Sequence, residues 1–294
     1  MKMPLRAMIG TLLGGAALAF AAWSASAASG VTPVDLKLVI ATDVSRSIND
    51  EEARLQREGT AEAFLSAEVV KAIQSGALGR IAVSMIDFSS PEYDRVVIDW
   101  QIIHDKATAA AFAERIRSTP RTPGRRTSIS SALELGALLI AGSDKDIQAT
   151  RKVIDVSGDG PNNDGNAMSE AHDKTIAQGV IVNGLPVMDD NANGYYPDLD
   201  KYYAGCVVGG RGAFVVVVRS FKDFGAAMRH KLILEVSQDK EQVKRTLAEL
   251  QRNSLLKTIA AGVPSNNGPE VLRPGQNEYS KDCDRNGGFG FGGF

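Results

Sequence analysis

The chain has 294 residues, 44% hydrophobic and 23% charged, the balance of a folded globular protein and not of a disordered one. Its formal net charge of −2 at pH 7 lacks the basic excess that nucleic-acid binding requires. Two cysteines, Cys206 and Cys283, cannot build a Cys-rich zinc site.

Lys2 and Arg6 precede an apolar, Ala/Leu/Gly-rich run over residues 8–23, followed by Ala25-Ser26-Ala27. A basic start, an apolar stretch and a small-x-small close predict a secretory signal peptide over 1–27. The competing reading is an uncleaved anchor, against which the run is short and the residues behind it small. Cleavage after Ala27 leaves 267 of the 294 residues and takes the formal charge from −2 to −4. No second apolar run is long enough to cross a membrane, so the expected location is periplasmic or secreted. In an exported chain, Cys206 and Cys283 form a candidate disulfide that would staple the C-terminal tail to the domain; two free thiols are the alternative.

The mature chain alternates strand-like and helix-like stretches. Residues 34–41 (VDLKLVIA) read as a first strand and 49–74 as one long helix capped by Asn49 or Asp50. Residues 80–88 and 93–102 read as two further strands, and the short link 89–92 predicts a hairpin between them. Helices are expected over 107–117 and 128–140, a strand over 151–157, a helix over 167–178, and strands over 180–187 and 213–218. Residues 221–236 predict a closing helix. Near-continuous apolar strands separated by helices indicate α/β: a doubly wound, mostly parallel sheet covered on both faces, with one antiparallel edge hairpin. The domain is placed at 34–236, a C-terminal helix at 237–261, and a Gly/Pro-rich flexible tail at 262–294.

In such a sheet, ligands gather beyond the carboxyl ends of the strands. There the sequence is polar. Asp43-Val44-Ser45-Arg46-Ser47 follows the first strand, placing three oxygen side chains at alternate positions of one strand-to-helix turn. Hard divalent cations favour oxygen ligands. Thr127 opens a later helix, and Asp159, in Ser157-Gly158-Asp159-Gly160, follows the fourth strand. By themselves Ser47 and Asn49 could equally cap the helix; the conjunction with Thr127 and Asp159 favours a metal site.

With these residues in hand, the chain resembles the von Willebrand factor A (integrin I-like) domain family. Its metal-ion-dependent adhesion site is an Asp-x-Ser-x-Ser turn, a Thr from a later loop and an Asp-Gly after the fourth strand. The resemblance implies that Asp43, Ser45, Ser47, Thr127 and Asp159 hold Mg²⁺, with Mn²⁺ or Ca²⁺ as alternatives. It also implies a protein partner that offers an acidic residue to the metal. VIDVSGDGPNNDG, GRRTSISSAL and GGRGAFVV look closer still to a bacterial family of secreted von Willebrand A-like proteins of unknown function. One departure stands: the family's common Thr-Asp-Gly is Gly158-Asp159-Gly160 here.

Other features are weaker. Asp189, Asn191, Asn193, Gly194 and Asp200 match part of an EF-hand-like calcium loop, but a strand precedes them and Pro197 sits at the ninth position. An Asn/Asp/Gly turn is the simpler reading. Asp282-x-Asp284-x-Asn286-Gly287 opens the same pattern and reads as tail. Asp155 and Asp87, inside apolar strands, need partners, and a structural pairing is favoured. The three histidines and the lack of a Gly-x-Ser-x-Gly elbow give no support to nucleophilic catalysis. The sequence therefore favours a metal-dependent protein-binding module. The alternatives are a metal-dependent hydrolase using Asp155 or His172 as base, or an envelope component with a vestigial site.

Overall fold

The computed structural model describes residues 30–189, 196–237, 244, 245, 248, 258–260, 283 and 284. The expected signal peptide over 1–27, most of the expected helix over 237–261 and most of the tail lie outside these residues. Among the described residues no helix is long and apolar enough to cross a membrane.

Six strands, β1 (Thr32–Asp43), β2 (Ile81–Phe88), β3 (Arg95–Ile103), β4 (Ile147–Gly158), β5 (Ile181–Pro186) and β6 (Phe214–Val216), form one sheet. Their order is β3-β2-β1-β4-β5-β6, and a short β7 (Thr258–Ala260) joins the β6 edge. The pairings among β1, β2, β4, β5 and β6 are parallel. β3 returns antiparallel to β2, as the hairpin reading predicts, and β7 is antiparallel to β6. The α/β architecture read from the sequence is the one observed.

Helices cover both faces. Along β1 the side chains alternate between two cores: Leu36, Leu38 and Ile40 pack with α1 (Asp50–Leu65), α2 (Ala67–Gln74), α3 (Lys106–Ser118) and α7 (Phe224–Val236). Val39 and Ala41 pack on the opposite face with α4 (Ile129–Gly142), α5 (Met168–Ala177) and α6 (Leu199–Tyr202). Period-two alternation with both faces apolar is what a strand sandwiched between helices requires. α1 and α7 touch backbone to backbone: a Cβ on Gly59 would lie 2.8 Å from the Cα of Gly225, so a side chain there would push the helices apart.

Three element expectations change. The single helix expected over 49–74 is two, because Ser66 adopts an extended backbone (φ −67°, ψ 139°) and its hydroxyl accepts from the Val69 N–H. A serine that offers its own oxygen to the backbone restarts the helix. The strand expected from residue 93 begins at Arg95, after a 3₁₀ turn over Pro91–Tyr93. Thr258–Ala260, expected as the end of a helix, is a strand, gaining backbone hydrogen bonds on the exposed edge of β6.

The chain winds outward from β1 through β2 to β3 on one side, and from β4 through β5 to β6 on the other. The junction of β1 and β4 is where the winding reverses. That is where an open parallel sheet forms a crevice at the carboxyl ends of its strands.

Candidate functional site

Asp43 is the last residue of β1, Asp159 follows β4, and Thr127 precedes α4, whose N-cap is Ser128. Backbone hydrogen bonds tie these loops together. The Val44 N–H donates to the Phe88 carbonyl, Gly124 N–H to Val44, and Asn163 N–H to Thr127, at 2.8–2.9 Å. The Asx-type turn after β1 is closed by the Ser45 N–H donating to Asp43 Oδ1 at 2.7 Å.

Three of the five predicted side chains, Ser45, Ser47 and Asp159, are linked by hydrogen bonds. Ser45 Oγ and Ser47 Oγ are hydrogen-bonded at 3.0 Å, and Ser47 Oγ donates to Asp159 Oδ1 at 2.8 Å across the β1–β4 junction. Thr127 Oγ1 lies 3.7 Å from where a Cβ on Gly160 would sit, against the loop that carries Asp159. Asp43, Ser45, Thr127 and Asp159 are buried and Ser47 is partly exposed, so the cluster opens to solvent at one point.

The electrostatics are strained. Burial, and then the neighbouring Asp159, push the Asp43 carboxyl well above its usual range, against the Ser45 hydrogen bonds and a smaller pull from Arg121. Burial raises Asp159 to about 6, opposed by the Ser47 hydroxyl and helped by Glu52. Asp43 Oδ2 is buried and has no hydrogen-bond partner. The nearby Arg121 is occupied elsewhere, donating to the Ile48 carbonyl at 2.6 Å and pairing with Asp50 at 3.0 Å. Two buried carboxylates with an unpartnered oxygen, flanked by three hydroxyls, are a donor set of the kind that hard divalent cations favour. Among the described residues no group of three or more His, Cys, Asp or Glu side chains is placed to hold a metal. This cluster has two, and its other donors are hydroxyls.

Gly158 is required by close approach. A Cβ there would fall 2.9 Å from Asp43 Oδ2 and 3.1 Å from the Tyr203 hydroxyl. The departure from a threonine at this position thus has a steric cause. Tyr203 itself is absent from the sequence reading. It begins a π-helical turn, Tyr203–Val207, that continues α6 within a stretch for which the sequence predicts no helix or strand. The one signal in that stretch is Cys206, and Cys206 is bonded to Cys283, with Cα atoms 5.4 Å apart. Next to it, Asp284 accepts from the Ser169 N–H at 2.9 Å and the Ser169 hydroxyl at 2.5 Å, capping α5, whose own N-cap Ala167 has no side-chain oxygen.

The other candidates separate from the site. Asp155 is paired with Lys231, and Asp87 with Arg57 at 2.5 Å. His172 contacts Asp173 at 2.9 Å and the Val208 carbonyl at 3.3 Å. Of the candidate calcium loop, Asn191 and Asn193 lie outside the described residues, whereas Asp189 precedes them and Asp200 is in the first turn of α6. Arg125 and Arg126 are exposed beside Thr127.

Residues 33–240 match the family described as "Protein of unknown function (DUF1194)". The chain belongs to that family. No curated protein matches it. Among solved structures, the fold is similar to proximal thread matrix protein 1 from the mussel byssus, in a form with a zinc-occupied MIDAS motif. The TM-score is 0.50 at 16% identity, over 70% of this chain and 48% of that one. The chain thus spans about half the length of the mussel protein. The pilus adhesin SpaC from Lactobacillus rhamnosus GG matches with a TM-score of 0.48 at 14% identity, over 70% of this chain and 30% of that one. An aerotolerance-related membrane protein from Bacteroides fragilis gives 0.37 at 19% identity, over 74% and 99%. The fold is of the von Willebrand A type.

Proposed function

We propose that this protein is an exported module that binds another protein through a divalent cation, Mg²⁺ or alternatively Mn²⁺ or Ca²⁺, held by Asp43, Ser45, Ser47, Thr127 and Asp159. The observation that carries the reading is the buried, unpartnered Asp43 Oδ2 beside Asp159, in a cluster otherwise made of hydroxyls. Asp43 and Asp159 supply two negative charges that balance a divalent cation, and the three hydroxyls supply neutral oxygens, so the cation keeps its affinity for one more anionic oxygen. Bound there, a cation supplies a coordination position for a partner's carboxylate. Arg125 and Arg126 form a positive rim that draws an acidic partner in. The zinc-occupied MIDAS motif of the mussel protein, on a similar fold, supports this reading. Export is supported by the N-terminal segment and by a disulfide suited to an oxidising compartment.

The test is a melting curve of the full chain with Mn²⁺ or Mg²⁺ and with EDTA. The cation should raise the melting temperature, and Asp43→Ala should erase the rise; identical curves would refute the cation site. The binding half is tested by capture from an envelope extract. It should be lost both in EDTA and with an Asp43→Ala bait, whereas capture that survives both refutes it.

A further inference from the structure

We propose that Tyr203 is a positioning residue of the cation site, its phenol hydroxyl orienting the Asp43 carboxylate; this rests on the cation reading above. The ring is fully buried and its hydroxyl has no hydrogen-bond partner. The same is true of Asp43 Oδ2. Both atoms face one point: the place a Cβ on Gly158 would occupy lies 2.9 Å from Asp43 Oδ2 and 3.1 Å from the Tyr203 hydroxyl. A buried hydroxyl without a partner is costly, and phenylalanine would fill the same space without that cost. A donor and an acceptor left open toward the same small gap are complementary.

The surroundings fit a fixed donor rather than a filler. Gly184 makes room for the ring, since a Cβ there would meet Tyr203 Cδ1 at 2.7 Å. Together Gly158 and Gly184, on adjacent strands β4 and β5, form the slot in which the phenol lies. The turn that delivers it is held from the other end by the Cys206–Cys283 bond. Asp43 has its Oδ1 already engaged by the Ser45 N–H at 2.7 Å, so Oδ2 is the oxygen whose direction is otherwise unset. A tyrosine donor there fixes the carboxylate plane while leaving it charged.

Tyr203→Phe separates this from packing. Calorimetric titration of the full chain with Mn²⁺ should show affinity falling roughly tenfold in the variant, as for loss of a hydrogen bond to a charged group. Its melting temperature in EDTA should be equal to or above that of the parent. Mn²⁺ should also produce a near-ultraviolet tyrosine difference spectrum in the parent that the variant lacks. Equal Mn²⁺ affinity in the two proteins overturns the role of Tyr203 and leaves the cation reading standing. A melting temperature in EDTA that drops with the variant assigns the residue to packing instead. No Mn²⁺ binding by the parent itself overturns both.

Discussion

Two buried pairs of carboxylates lie along the same sheet and are treated in opposite ways. In the interior, Asp155 of β4 and Glu235 of α7 share the ammonium of Lys231, which is fully buried and sits 3.1 Å from Glu235. Asn183 donates to the Glu235 carboxylate at 2.6 Å, and its own oxygen accepts from the Phe214 N–H at 2.9 Å. Four residues further along the chain, Asp159 faces Asp43 at the open end of the sheet, and among the described residues neither has an ion-pair partner. Burial raises the proton affinity of Asp43, Asp159 and Asp155 alike. The difference is the source of positive charge. In the core the chain provides its own cation, Lys231; at the strand ends, among the described residues, it places none in contact with the acids, and on the proposed reading a bound cation supplies it.

The largest expected effect breaks this contrast directly. Lys231→Met leaves the interior acids without their cation, and should lower stability by about 4 kcal/mol in urea denaturation. Asp43→Ala in EDTA should cost far less or stabilise, because it removes half of a repulsive pair. Similar losses from both variants would mean that the two clusters are not opposites.

Replacing Cys206 and Cys283 with serine should cost about 3 kcal/mol, the usual loss on removing a native disulfide. A loss of that size should appear in the melting curve with or without cation, marking the disulfide as support for the fold around the site.

The third test uses pH. Asp159 keeps its proton to about pH 6 in the folded chain, whereas an unfolded aspartate loses it near its ordinary value of 3.8. Between those values the folded state binds more protons, so without cation this group's contribution to stability is present at low pH and is lost as pH rises toward 6. On the proposed reading, protons and a divalent cation compete for the same oxygens. The Mg²⁺-dependent rise in melting temperature should therefore be small at pH 5 and reach its full size above pH 7; a rise that is the same at both values contradicts it.

The smallest effect concerns the tail. Asp284→Ala removes the oxygen that caps α5 and should cost about 1 kcal/mol, with no change in cation affinity.

Much of this was legible in the linear chain. The near-continuous apolar strands, 34–41 among them, already indicated a sheet covered on both faces, and β1 divides its side chains between two cores in that way. The Asp-x-Ser-x-Ser turn, Thr127 and Asp159 were identifiable because each follows or opens an element whose direction the sheet fixes. What was not legible has a common cause. Ser66 divides a helix through a hydroxyl contact that periodicity does not register. Asp155 has the structural pairing that its sequence context favours, but the identity of the partner, Lys231, was not legible because it lies 76 residues away on α7. Asp284, read as tail, caps a helix 115 residues earlier.

The sequence by itself determined the sheet, its winding and the oxygens at its reversal point, since these follow from local pattern and from the few ways parallel strands connect. Only the tertiary structure decided which buried acids carry their own cation and which do not, and that the Tyr203 hydroxyl and Asp43 Oδ2 border the same space beside Gly158. The physical reason is that charge balance in a buried site depends on what other segments bring within a few ångströms. No spacing along the chain encodes that.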